Sequence, residues 1–498
     1  MKKLFKIIIM SVFMAAFIFS VKSVAASEVL TSAEAPKINY VKIDKKALNV
    51  HWKSFKGALK YEVWKKNSKG EWVRKGYVKK PVYCDENVKN GKTYTYRVRA
   101  ILSGNKKSAY LVKSAVFLSA PKVTSAWNVS DGVRVKWNKM QSAEGFYIYR
   151  QLKGSSSWKK IATVKGDKTE FTDKSAKGCT WYVYKVRQYA SGSMSTAGNG
   201  VVGAFVPAVK NLVSKNSPKG VTVSWSKVAD AKGYMLWRKS GENGKWKQIA
   251  KIKGFQNTGY IDKTVLYGSK NEYKIKAFLN DKRISDYSSV SFVYGVDPSK
   301  PMVALTYDDG PYAPATNRIL NKLKEYNARA TFFVVGSRLD TYADCVKRAA
   351  SSGNEIANHT YTHSSLTALS PADIKKQIDD TDKLIFKYSG TTTKLVRAPG
   401  GAVNDKVKAN VKYPLINWSV DTYDWNHRTA SKTVAAIKNY VRDGSVVLMH
   451  DLYIPTAAAS ETIIPWLVSK GYQLVTVSEM MDAKGIKITK GNLYTKAY

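Results

Sequence analysis

Cysteine is scarce in this chain: three in 498 residues, Cys84, Cys179 and Cys345, none close to another. A disulfide scaffold needs paired cysteines, and zinc ribbons or iron–sulfur centres need short Cys-x-x-Cys spacings, so all three are excluded. Acidic side chains are also few, 37 against 82 Lys plus Arg, which leaves a formal net charge of +45. Beyond the N-terminus no stretch is apolar enough to cross a bilayer as a helix. Hydrophobic residues make up 44% and aromatics 12%, which rules out a wholly disordered chain, and the length implies several domains.

The first residues read MKKLFKIIIMSVFMAAFIFSVKSVAAS. Lys2, Lys3 and Lys6 precede an apolar run from Ile7 to Phe19, and the small residues Val24 and Ala26 suit a signal peptidase. Residues 1–26 are therefore expected to be a signal peptide cut after Ala26, with an uncleaved anchor as the alternative. Cleavage would leave no permanent membrane anchor and a secreted or wall-associated protein, in keeping with a bacterial envelope. The charge is uneven: residues 27–300 carry 53 basic and 19 acidic side chains, residues 301–498 carry 25 and 18. A field of that sign draws polyanions and weakens with salt. Export argues against nucleic acid, so anionic wall polymers or phospholipid surfaces are the better-placed partners, with generic solubility as the plain alternative.

The chain repeats itself. Trp52, Trp137 and Trp225 recur at spacings of 85 and 88, and Trp72, Trp158 and Trp246 at 86 and 88. KYEVWKK (60–66) aligns with GFYIYRQ (145–151) and GYMLWRK (233–239). Tyr83-Cys-Asp85 aligns with Phe171-Thr-Asp173 and Tyr260-Ile-Asp262, and Tyr96-Arg-Val-Arg99 with Tyr184-Lys-Val-Arg187 and Tyr273-Lys-Ile-Lys276. Five cassettes in one register define three units of about 87 residues. VRVKW (133–137) and VTVSW (221–225) alternate apolar and polar, the pattern of half-buried antiparallel strands. The units resemble fibronectin type III-like modules, placed at 35–119, 120–206 and 207–296. Both tryptophan sets are expected to fill sandwich cores, with sugar stacking as the alternative.

Proline punctuation at Val296-Asp-Pro-Ser-Lys-Pro301 marks a linker, after which strand-like and helical runs alternate over 300–484, the signature of a parallel sheet or barrel. Ser370-Pro-Ala-Asp373 reads as a helix start. Residues 485–498 form a tail. In parallel α/β domains functional residues gather where strands end. Here those ends carry Thr306-Tyr-Asp-Asp-Gly-Pro311, His359-Thr-Tyr-Thr-His363, Arg397-Ala-Pro-Gly-Gly401, Asp421-Thr-Tyr-Asp-Trp425 and Leu448-Met-His-Asp451. Two imidazoles, on one face if the segment is helical, and one carboxylate make a three-ligand divalent metal site with open positions. Of two adjacent aspartates, one can bind metal while the other stays free as a base. A further histidine can protonate a leaving group, a nearby Asp can raise its proton affinity, and Arg397 can hold the free aspartate ionised. The set describes metal-assisted hydrolysis of an amide or ester. Asp421 either supports Arg397 or ends a strand, and His427 is expected at the surface.

These five segments closely resemble the motifs of the polysaccharide deacetylase family, carbohydrate esterase family four. The resemblance implies a distorted (β/α) barrel that removes N- or O-acetyl groups from polysaccharides. It implies Asp308 as general base and Asp309, His359 and His363 as ligands of a divalent metal, usually zinc, with cobalt or manganese as alternatives. It implies that Arg397 orients Asp308, that the Gly400 N–H donates to the oxyanion, and that Asp424 tunes His450, the general acid. Tyr307, Trp425 and Leu448 are assigned to the substrate pocket. Tyr307 stands where Phe is commoner, and Gly400 where many members carry an aromatic, which bears on the sugar site. Residues 353–369 and 447–480 look most like secreted bacterial peptidoglycan deacetylases, implying N-acetylglucosamine units of the cell-wall glycan as substrate. Chitin-like, exopolysaccharide, N-acetylmuramic or O-acetylated xylan substrates are the alternatives, and a non-catalytic wall-binding protein the rival from another class.

Overall fold

The computed structural model describes residues 35–498, so the expected signal segment lies outside the described residues. The chain divides into two compact units: one holds residues up to Ser125 with Lys136–Phe171 and Val183–Val201, the other Ala126–Val135, Thr172–Tyr182 and Val202–Tyr498.

The region before residue 297 is all-β with several sheets. In the first unit, Ile38–Ile43, Leu48–Trp52 and Val82–Asp85 form a three-stranded sheet. Trp72–Val78, Lys60–Lys66, Thr93–Ile101 and Leu111–Val116 form a four-stranded one. Their inward residues alternate, as period two requires: Leu48, Val50 and Trp52 meet Tyr61, Val63, Tyr96 and Val98. The same arrangement returns in the second unit. There Val213–Ser217, Gly220–Ser224 and Gly259–Asp262 make the small sheet, and Gly233–Ser240 and Lys270–Asn280 are central in the large one. Val221, Val223, Trp225, Tyr234, Leu236, Tyr273 and Ile275 fill its core. The repeat extends to irregularities. A bulge falls at Val63/Trp64, Ile148/Tyr149 and Leu236/Trp237, the same cassette position each time. The cassettes also join one another. Tyr96 Oη donates to Asp85 at 2.5 Å, and Tyr273 Oη to Asp262 at 2.9 Å, so each buried carboxylate is satisfied by the next cassette's tyrosine.

The two tryptophan sets part company. Trp52, Trp137 and Trp225 are buried, as expected. Trp72, Trp158 and Trp246 are only half-buried and stand under cations: Arg97 lies 4.5 Å from the ring of Trp72, Lys185 4.5 Å from Trp158, and Lys274 4.1 Å from Trp246. The second set does not fill cores.

Within the second unit, the segment expected to be a linker is pinned on both sides. Asn216 Nδ2 donates to the Tyr294 carbonyl and Asn216 Oδ1 accepts from Val296 N, each at 3.0 Å. Gln473 accepts from Asp297 N and donates to the Asp297 carbonyl, both at 2.8 Å. The Arg329 guanidinium lies 4.6 Å from the ring of Tyr294, and Val296 is buried in the core of the following domain. Gly353 sits so close to that ring that a Cβ there would meet it at 2.5 Å.

From Met302 onward a parallel sheet orders Glu355–Asn358, Thr331–Val334, Met302–Asp308, Ser445–His450 and Val420–Asp421, with Gln473–Leu474 beside Met302. Single parallel bridges carry the pairing from Asn358 to Val396 and on to Leu415, whose strand Leu415–Ile416 pairs Leu493–Tyr494 of the tail. Every residue of Met302–Asp308 is buried, the mark of a strand covered on both faces. Helices including Ala313–Glu325, Pro371–Ser389 and Ile454–Ser469 pack around it. Pro371–Ser389 begins as its sequence indicates: Ser370 Oγ accepts from Asp373 N, and Gly390 ends it at φ 69°. No described helix is long and apolar enough to cross a membrane.

Candidate active site

The strand Met302–Asp308 runs straight into the site. Asp308 is its last residue, and Asp309 turns away in the left-handed region at φ 66°, so the adjacent carboxylates point to different partners. Asp308 Oδ1 accepts from Arg397 Nη1 at 2.7 Å. Arg397 is fully buried yet satisfied: Nη1 also donates to Thr306 Oγ1, Nε to the Ile416 carbonyl and Nη2 to the Asn417 carbonyl, with the Phe333 ring 4.1 Å away. A buried guanidinium with this set of acceptors is a fixed positive charge behind a 2%-exposed carboxylate.

His359 and His363 leave the strand Glu355–Asn358 on a loop. They do not share a helix face; Thr360 and His363 take left-handed φ of 69° and 61°. Asn358 Oδ1 accepts from Thr360 N, and Gln377 Oε1 from Tyr361 N and Thr362 N, so side chains supply the bonds a helix would have made. Both imidazoles reach Asp309: Oδ1 lies 3.3 Å from His359 Nε2 and 2.9 Å from His363 Nε2. His359 Nδ1 is 2.7 Å from the Arg397 carbonyl, which can only accept, so the proton sits on Nδ1 and Nε2 presents its lone pair.

One donor atom from each of Asp309, His359 and His363 lies within 4.8 Å of the others, and Asp309 Oδ1 is buried without a hydrogen-bond donor. Electron-rich atoms crowd together in this way around a cation, and the donor set, two imidazoles and a carboxylate, suits zinc or a similar divalent ion. Burial alone would raise the Asp309 carboxyl; the two imidazoles outweigh it and hold the group well below the usual carboxylate range. The Asp309 carboxylate beside it in turn raises the proton affinity of His363.

Across the site, His450 ends the strand Ser445–His450. Its Nδ1 lies 2.9 Å from Asp424 Oδ1 and its backbone N donates to Asp424 Oδ2 at 2.8 Å. Asp424 also accepts from Thr456 Oγ1, Trp425 N and Thr422 Oγ1. Burial works against the imidazolium, but Asp424, then Asp308 and Asp309, more than offset it, and His450 is pushed up to about 9. Leu448 is buried on the same strand, while Trp425 is 45% exposed beside Tyr423. Gly400 takes φ 64° with no atom within 4 Å of where a Cβ would stand, so that position faces open space.

Two expectations, for Tyr307 and His427, need correction, and of the two alternatives for Asp421 the structure shows the strand end. Tyr307 does not line the pocket: it is fully buried, stacks on Phe332 at 5.2 Å and shares a hydrogen bond with Ser460 at 2.9 Å. Alternation along the strand points it away from Thr306 and Asp308. Asp421 accepts from Tyr423 N at 2.8 Å and ends its strand, with no bond to Arg397. His427 is no loose surface group, since Nε2 meets the Thr422 carbonyl at 2.9 Å and Nδ1 accepts from Thr429 N at 3.0 Å. Sequence reasoning missed Thr456 and Thr422, which hold Asp424; no spacing rule marks the first, and the second lies two residues before Asp424. It also missed Asp451, fully buried, pushed up to about 7 chiefly by burial, and bonded to Thr316 at 2.5 Å.

A parallel α/β domain with a carboxylate–guanidinium pair, a carboxylate–imidazole pair and a candidate cation site at its strand ends has the layout of a hydrolase. The family profile for polysaccharide deacetylase matches residues 295–414. The chain is 40% identical over 233 residues to the peptidoglycan-N-acetylmuramic acid deacetylase PdaC of Bacillus subtilis, covering 47% of this chain and 48% of that protein. It is 39% identical over 182 residues to the peptidoglycan-N-acetylglucosamine deacetylase PgdA of Listeria monocytogenes, 36% of this chain and 39% of that one. A peptidoglycan-N-acetylglucosamine deacetylase of Bacillus cereus is 35% identical over 198 residues, 38% of this chain and 92% of the relative. The chain thus spans about half or less of PdaC and PgdA but nearly all of the Bacillus cereus protein. It belongs to the polysaccharide deacetylase family, carbohydrate esterase family four, whose members are metal-dependent.

Proposed function

We propose that residues 300–484 form a distorted (β/α) barrel that hydrolyses N-acetyl groups of peptidoglycan, on N-acetylglucosamine units, releasing acetate. The observation that carries this reading is the convergence of Asp309, His359 and His363 within 4.8 Å beside the Asp308–Arg397 and His450–Asp424 pairs. A divalent cation on the first three would supply positive charge to polarise the acetamide carbonyl and acidify water. Asp308, held in place by Arg397, takes the proton of the attacking water. The Gly400 N–H donates to the carbonyl oxygen as it gains charge. Trp425 and Leu448 flank the acetyl methyl. His450 protonates the departing nitrogen. An amine leaves poorly without a proton, so an imidazolium held charged by Asp424 favours amide over ester hydrolysis.

The sugar ring has a second candidate. PdaC acts on N-acetylmuramic acid, and the open space at Gly400 leaves room for a ring substituent. The N-terminal region is read as three fibronectin type III-like modules, 35–119, 120–206 and 207–296, on an exported, wall-associated protein whose segment 1–26 is removed. The test is mass spectrometry of muropeptides from purified wall before and after treatment, with and without a chelator. Loss of acetyl groups from glucosamine units, abolished by the chelator and by Asp308→Asn, is the expected result. Acetyl loss confined to muramic acid would establish the second sugar, and no acetate release by a metal-loaded protein would overturn the reading.

A further inference from the structure

The second tryptophan set points to a surface that none of the chemistry above uses. Trp72, Trp158 and Trp246 occupy equivalent places in the three repeats, and so do the cations above them, Arg97, Lys185 and Lys274, each the second residue of its Tyr-x-Val/Ile-Lys/Arg cassette. The ring–cation distance is 4.5, 4.5 and 4.1 Å in turn. Two of the cations have further rings around them. Arg97 also faces Trp64 at 4.8 Å and Tyr110 at 4.3 Å, and its Nε is buried without a partner. Lys274 faces Tyr287 at 3.9 Å, and Lys276 shares that ring at 4.1 Å.

How these cations are held matters. Neighbours on the same sheets are neutralised: Arg99 pairs with Glu62 at 2.6 Å and Lys239 with Glu272 at 3.0 Å. Among the described residues, no carboxylate makes an ion pair with Arg97, Lys185 or Lys274. An aromatic face orders a cation without cancelling its charge, whereas a carboxylate does both. Each repeat therefore presents at least one positively charged group that is already fixed in place, and this one recurs at the same cassette position, in a region where 53 basic side chains face 19 acidic ones. A fixed, uncompensated charge loses less side-chain freedom when an anion arrives than a free surface lysine would. An Arg in one repeat and Lys in the other two preserve the charge and the ring contact, and not one particular hydrogen-bonding shape.

We propose that the Trp72–Arg97, Trp158–Lys185 and Trp246–Lys274 pairs are the anion-contacting points of the repeats, and that their ligand is an acidic polysaccharide, with phosphodiester or carboxylate groups spaced along a sugar chain. At each pair an anion meets the ring-held cation, and the half-buried ring lies against the adjoining sugar.

The test uses the full chain and three soluble polymers, poly(ribitol phosphate), polygalacturonate and neutral dextran, with phosphatidylglycerol vesicles as the competing surface. Affinity is measured against salt for the parent, for Arg97→Gln/Lys185→Gln/Lys274→Gln, and for a control, Lys80→Gln/Lys177→Gln/Lys219→Gln, which removes three exposed lysines outside the cassettes. The cassette variant should bind an acidic polymer about tenfold more weakly than the control at low salt, with the slope of log affinity against log salt reduced by about two, at roughly 0.7 per charge lost. Arg97→Lys, which keeps the charge, should bind like the parent. Trp72→Ala/Trp158→Ala/Trp246→Ala, checked for an unchanged melting curve, should weaken binding several-fold with the slope intact. The acidic polymer bound more tightly names the source of the anion. Equal losses for the cassette and control variants, binding to dextran as tight as to the acidic polymers, or binding to vesicles alone would each overturn the proposal.

Discussion

Asp424→Asn separates the electrostatics of the acid from its geometry. Asn keeps the shape of Asp424 but removes the charge that His450 feels through a 2.9 Å contact. A rise from 6.5 to about 9 corresponds to about 3 kcal/mol at 1.36 kcal/mol per pKa unit, for an imidazole only 12% exposed. Without that charge, only the weaker pull of Asp308 and Asp309 opposes burial, and His450 should fall back to about its ordinary value. The general acid works protonated, so activity falls as pH rises through its pKa, and a raised pKa extends activity upward. At pH 8 the parent would be about 90% protonated and the variant about 3%, a loss in kcat/KM of about thirtyfold that nearly vanishes at pH 6. The assay is kcat/KM for acetate release from a soluble chitooligosaccharide between pH 5.5 and 9.5, with metal loading confirmed for both proteins. An Asp424→Asn profile with its alkaline limb in the parent's place would refute the argument that Asp424 sets the acid. The same shift contributes to stability in the protonated form, fully present below about 6.5 and lost as pH rises through 9.

Three further outcomes follow from the geometry. Arg397→Ala leaves Asp308 buried without its counter-charge, and urea unfolding should show a loss of about 3–5 kcal/mol, with Arg397→Lys retaining only part of it. Asp309→Asn and His359→Ala should each weaken zinc binding at least tenfold by calorimetry while the far-ultraviolet circular dichroism stays unchanged. Trp225→Ala empties the core of the third repeat beside Tyr234 and should cost about 3–5 kcal/mol in thermal or chemical melting, whereas Trp246→Ala should cost far less because that ring is half-buried.

The repeat period and the five strand-end clusters were legible because strands alternate and because polar residues at the ends of apolar strands have few other reasons to be there. The errors share a cause. Alternation tells which residues share a face but not whether that face looks inward, so the pattern alone puts Trp72, Trp158 and Trp246 in cores although cations cover them. The same rule, applied to the strand ending at Asp308, would have set Tyr307 apart from the cleft. The His359–His363 pair converges through a loop because Asn358 and Gln377 reach in from elsewhere to hold it, and contacts made across such distances leave no local signature. His427 looked free for the same reason: both its partners are backbone groups.

The pinned segment at 294–297 decides where this protein can be cut. A shortened enzyme beginning at Pro301 would lose Val296 from its interior, strip the Tyr294 ring from Arg329 and Gly353, and leave Gln473 facing solvent. A shortened chain that keeps these contacts starts ahead of Tyr294, and proteases should find few sites at the seam that the prolines advertise.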